Sequence, residues 1–73
     1  MPSQAARQRV ELEIYDLLGR LVAVLFDREV TPGRYEVVWN GKDLHGHEVP
    51  SGIHVYRLRA QDFSQSRKLI LLR

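Results

Sequence analysis

Val10-Glu11-Leu12-Glu13-Ile14-Tyr15-Asp16-Leu17-Leu18-Gly19-Arg20-Leu21-Val22 is the stretch that decides the architecture. Val10, Leu12 and Ile14 alternate with Glu11 and Glu13, the period of a strand with one wet face. Leu17-Leu18-Gly19-Arg20 then turns the chain, Gly19 being the residue that tolerates positive φ. Residues 20–27 read as a second strand, more continuously apolar and so more buried. A helix over residues 5–18 is available on propensity, but the strict alternation weighs against it.

Working outward, Thr31-Pro32-Gly33 is a turn, with proline presetting φ and Gly33 expected in the left-handed position. Tyr35, Val37 and Trp39 alternate with Arg34, Glu36, Val38 and Asn40, which predicts a third strand. Residues 40–52 form a polar connection with three glycines, one proline and two histidines. A fourth strand is expected over 53–61, with Tyr56, Leu58 and Ala60 on one face and Arg57 and Arg59 on the other. Residues 62–65 turn into a fifth, over 66–73. Strands at this spacing, separated by turn signals, argue an antiparallel β-sandwich. Residues 1–9 have no strand pattern and are expected to be flexible; residues 10–73 make the domain. Five strands are fewer than the seven usual for a sandwich, so at least one long edge should be unpaired and open to pairing, including with a second copy.

Seventy-three residues allow one core. Ordering the chain costs on the order of 100 kcal/mol, so most of the 44% of hydrophobic residues must find burial. There is no cysteine, hence no disulfide and no thiolate nucleophile or ligand. The net charge of +2 comes from cations interleaved with Glu11, Glu13, Asp16, Asp27 and Glu29. A nucleic-acid binder would gather its charge on one face, so no nucleic-acid partner is expected. No apolar run is long enough for a membrane span, and the polar first nine residues are no export leader. Work outside the cytoplasm would therefore require a leader on a larger precursor.

Catalytic chemistry is not assembled anywhere along the chain. His45, His47 and His54 invite a metal site, yet their spacing fits no zinc pattern, and a glycine-rich loop orders ligands poorly. Surface histidines are the reading taken, with no metal or other cofactor. Asp27, Glu29, Asp43 and Glu48 do not follow the oxygen alternation of a calcium loop. Ser51 sits in no nucleophile elbow. Trp39 and Tyr35 would suit a platform for sugar or single-stranded nucleic acid if exposed, but core packing is favoured for them. Arg57, Arg59, Arg67 and Lys68 fall on adjacent strands and could form a positive patch; a solvated sheet face is favoured.

Three segments carry a family resemblance: Leu12-Glu-Ile-Tyr-Asp-Leu-Leu-Gly-Arg-Leu-Val, then Pro32-Gly33-x-Tyr35-x-Val37-x-Trp39-Asn40-Gly41-Lys-Asp43-x-x-Gly46-x-x-Val49-Pro50-Ser51-Gly52-Ile53-x-x-Tyr56-Arg57-Leu58, and the closing Arg67-Lys68-Leu69-Ile70-Leu71-Leu72-Arg73. Together they resemble the C-terminal sorting domain of the type IX secretion system. They are also similar to the immunoglobulin-like domain of the flagellar hook-capping protein. The resemblance implies a small immunoglobulin-like β-sandwich of about five to seven strands. The Pro-Asn-Pro-rich first strand of that family is not seen here. The usual aspartate after the tryptophan is Asn40, and the usual aromatic pair after Ser-Gly-Ile is His54-Val55.

On this resemblance the chain is a non-catalytic sorting signal that directs an attached upstream cargo through the periplasm to the cell surface or medium. Its partners would be secretion machinery and a sortase, with homodimerisation through the open edge as a further expectation. Lys68, Leu69, Ile70, Leu71, Leu72 and Arg73 would be the tail that machinery reads, by strand addition. Asp16, Gly19, Gly33, Gly41, Asp43, Gly46, Ser51 and Gly52 would serve the turns. Tyr15, Trp39, Tyr56 and Leu58 would be core. The alternatives are a structural assembly module like that of the hook cap, packing against copies of itself, or an accessory carbohydrate-binding module.

Overall fold

The computed structural model describes residues 7–72. Among them are four strands and no helix: β1 (Gln8–Tyr15), β2 (Leu21–Val30), β3 (Gly52–Ala60) and β4 (Phe63–Leu71). They form one antiparallel sheet in the order β2-β1-β3-β4, so β2 and β4 are its edges. The all-β class follows directly, and the sheet is one layer of a small immunoglobulin-like sandwich. The flexible N-terminus expected over 1–9 falls, for residues 1–6, outside the described residues, while Gln8 and Arg9 open β1.

Period two sorts the side chains. Leu12 pairs with Leu58 and Ile14 with Tyr56, which puts the apolar residues of β1 and β3 on one inner face. The pairing of β1 with β2 shifts between Leu12 and Glu13, where Phe26 is followed by Val24 as partner. Such a bulge lets consecutive residues turn to the same side. Leu25 and Phe26 accordingly both line inner-face clefts with Leu12. Among the described residues Ile14, only 1% exposed, is the one large side chain fully enclosed, and Ala23 and Val49 complete the buried apolar set.

The expected strands are altered in three places. β2 runs on through Asp27, Arg28 and Glu29, because ladder bonds to β1 need backbone and not apolar side chains. β4 begins at Phe63, three residues earlier than expected, after a tight Gln61-Asp62 connection that sets Ala60 opposite Phe63. The third strand expected around Tyr35 to Trp39 has no ladder among the described residues. Residues 34–39 pass over the inner face, where Tyr35 and Val37 close a cleft with Val10, Leu12, Phe26, Val30, Tyr56 and Leu58. Among the described residues the second layer of the sandwich is thus this one segment, without a ladder partner.

Candidate functional site

Two turns share one design. In the first, Asp16 Oδ1 accepts the amides of Leu18 and Arg20, both at 2.9 Å. Its backbone closes the turn through Asp16 N to Arg20 O and Gly19 N to Asp16 O, each 3.0 Å. In the second, Asp43 Oδ1 accepts the amides of His45 at 2.8 Å and His47 at 3.0 Å. Asp43 N reaches His47 O at 2.9 Å, and Gly46 N reaches Asp43 O at 3.0 Å. Asp-Leu-x-Gly-(Arg/His) thus folds twice into the same closed loop, the glycines taking φ of +83° and +79°. An L side chain in that region is strained, which is why glycine holds both places. Backbone amides donating to Asp16 and Asp43, foremost those of Arg20 and His47, hold both carboxyls below the usual carboxylate range.

The polar connection over 40–52 is an ordered miniature hairpin. Lys42 bridges Glu48, and Val49 N donates to Gly41 O at 2.9 Å. Asn40 Oδ1 takes the Lys42 amide at 3.0 Å, and Trp39 Nε1 donates to Lys42 O at 2.9 Å. Leu44 N donates to Val22 O at 2.9 Å, pinning the hairpin to the edge of β2. Gly41 and Gly52 also take positive φ; Gly33 does not, so the left-handed turn expected there is absent. Ser51 is exposed in the bend before β3, and Tyr56 is half-buried on the inner face.

The histidines are divided. His45 and His47 lie side by side at the hairpin tip, ring centroids 6.2 Å apart, while His54 is buried edge-on to Trp39 at 5.5 Å. Among the described residues no three His, Cys, Asp or Glu side chains are grouped to hold a metal ion. Trp39 and Tyr35 are also in different settings. Trp39 is half-buried on His54, whereas Tyr35 is 47% exposed, packs on Phe26 at 6.1 Å and donates to Thr31 O.

The outer face of the sheet is a charge network. Arg59 reaches Glu11 at 3.1 Å and Glu13 at 3.3 Å, and Arg9 pairs with Asp27. Tyr15 belongs here and not to the core: period two places it with Glu11 and Glu13. Its hydroxyl donates to Glu13 at 2.8 Å and accepts from Arg57 at 3.3 Å, and the Arg57 guanidinium lies over its ring. The hydrogen bond to Glu13 raises its pKa above the usual phenol value. The four cations considered as a patch are separated. Arg57 and Arg59 are engaged by Tyr15 and the glutamates, and the parity of β4 turns Arg67 and Lys68 to opposite faces.

The residues proposed as a recognised tail lie at the edge. Lys68, Leu69, Ile70 and Leu71 are the last four residues of β4, Leu72 follows it, and Arg73 lies outside the described residues. Ile70 is 64% exposed and sits opposite Ile53 on β3.

A four-stranded antiparallel sheet, half-covered by one crossing strand and braced by two aspartate-closed turns, defines an all-β module of the immunoglobulin-like kind. The chain belongs to the family of the FlgD Ig-like domain, whose family model matches residues 1–65. No curated protein and no solved structure matches the chain. The family match supports the immunoglobulin-like, hook-capping side of the resemblance; nothing found indicates a type IX sorting domain.

Proposed function

We propose that this chain is a non-catalytic structural module that packs against other protein surfaces, copies of itself included, within a larger assembly. The membership in the FlgD Ig-like family carries the reading. The incomplete second layer supports it. A sandwich normally buries its inner faces against each other, whereas here a cleft of about 340 Å³ between Tyr35, Val37 and the sheet stays open to the surface. Val38 at 88% and Leu72 at 82% exposed add apolar area beyond it. Partly covered apolar surface of this kind marks interaction sites.

Sedimentation velocity over a concentration series up to about 1 mM tests the self-packing part. The expected result is reversible association that strengthens with concentration. A chain that stays monomeric throughout refutes it.

A further inference from the structure

Residues 34–38 are a strand without a sheet. Arg34, Tyr35, Glu36, Val37 and Val38 belong to none of the four strands, and among the described residues their backbone groups make no hydrogen bond. Backbone donors and acceptors are satisfied by water or by another strand, and a lone strand beside an open apolar cleft is poised to accept one. Tyr35 and Val37 turn to the sheet. Arg34 and Glu36, at the alternate positions, are exposed and form no ion pair among the described residues.

We infer that this strand pairs antiparallel with the same strand of a second copy about a two-fold axis through Tyr35; the inference rests on the self-packing reading above. That register sets Arg34 of each copy opposite Glu36 of the other, giving two reciprocal opposite-charge pairs on the solvent side. Tyr35 meets Tyr35 over the cleft, an aromatic pair of the sort that stabilises sheets. Moving the axis one residue to Glu36 would oppose two like charges, so the charges select the register. The second layer then becomes a two-stranded ribbon lying on the apolar face. An isologous contact of this kind closes on itself as a dimer.

The other edges fit a second copy less well. Full-length self-pairing of β4 sets Arg67 against Arg67, and β2 is already engaged at Val22 by the hairpin.

Charge reversal provides the test, with sedimentation velocity on the 73-residue chain. Arg34→Glu and Glu36→Arg should each weaken self-association about ten- to thirtyfold, since two attractive pairs become repulsive. The double exchange, Arg34→Glu with Glu36→Arg, should restore it, with far-UV circular dichroism unchanged in all three. As the chain has no cysteine, Tyr35→Cys introduces a single thiol. Opposed residues in an antiparallel pair stand about 4.5–5.5 Å apart at Cα, within disulfide reach. Mild oxidation should link Tyr35→Cys chains and leave Ile70→Cys chains largely unlinked. Association that ignores the reversals, or linking at position 70 instead of 35, overturns this interface while the self-packing reading stands. Absence of any association overturns both.

Discussion

Ile14→Ala should bring this domain to the limit of folding. Among the described residues Ile14 is the one large side chain fully enclosed, at 1% exposure, held between Ala23 on β2 and Tyr56 on β3. Truncating a buried isoleucine to alanine costs about 2–5 kcal/mol, transfer and cavity combined. A domain of 73 residues has roughly 4–11 kcal/mol in total, at about 0.05–0.15 kcal/mol per residue. With three buried apolar residues among those described, this one belongs at the low end. Ile14→Val removes one methylene and should cost about 0.5–1.5 kcal/mol, lowering Tm by roughly 4–8 °C per kcal/mol. Urea unfolding is read through the fluorescence of Trp39, the sole tryptophan, together with far-UV circular dichroism. Ile70→Ala, at a position 64% exposed, is the control and should cost less than about 0.5 kcal/mol. If Ile14→Ala costs no more than that control, Ile14 does not centre the core and the assignment of the inner face is wrong.

Acid should destabilise the fold through Asp16 and Asp43. Both carboxyls are held below their ordinary value of 3.8, so their stabilisation is fully present above it and is lost as pH falls through the lower folded values. Asp16→Asn with Asp43→Asn should flatten that acid limb in urea titrations between about pH 5 and pH 2; an unchanged limb would locate it elsewhere. Gly19→Ala and Gly46→Ala should each cost roughly 1–2 kcal/mol through positive φ alone, since nothing crowds either site. Gly33→Ala places a methyl 3.7 Å from the Tyr35 ring, an ordinary contact, and chemical denaturation should find it near neutral or slightly stabilising. Glu13→Gln should lower the Tyr15 pKa toward that of an ordinary phenol in ultraviolet titration; no change would mean that the hydrogen bond is not the cause.

Much of this layout was legible because it is local. The Val10/Leu12/Ile14 alternation predicts β1 and its faces. The same parity places Arg57 and Arg59 away from Tyr56 and Leu58, which is where the structure has them, against Glu11, Glu13 and Tyr15. Applied to Tyr15 it puts that ring on the charged face, whereas the family resemblance implies core. The turn aspartates could be read because an Asp three residues before a glycine can accept amides within its own loop. Gly33 misled for the opposite reason: Pro-Gly is a turn signal, but nothing local requires positive φ there.

Parity along the chain was enough for the faces of β1 and β3, Asp16 and Asp43 marked two turns, and the lack of cysteine excludes disulfide and thiol chemistry. Strand partners came from the fold. Tyr35, Val37 and Trp39 have the alternation of a strand, but whether a strand finds a ladder depends on what passes within about 5 Å of its edge. β1 is taken on both sides by β2 and β3, β4 closes the far edge, and the crossing segment is left above the sheet with no backbone partner among the described residues. Periodicity is a property of neighbours in the chain; hydrogen-bond pairing is a property of neighbours in space, and only the fold brings those together.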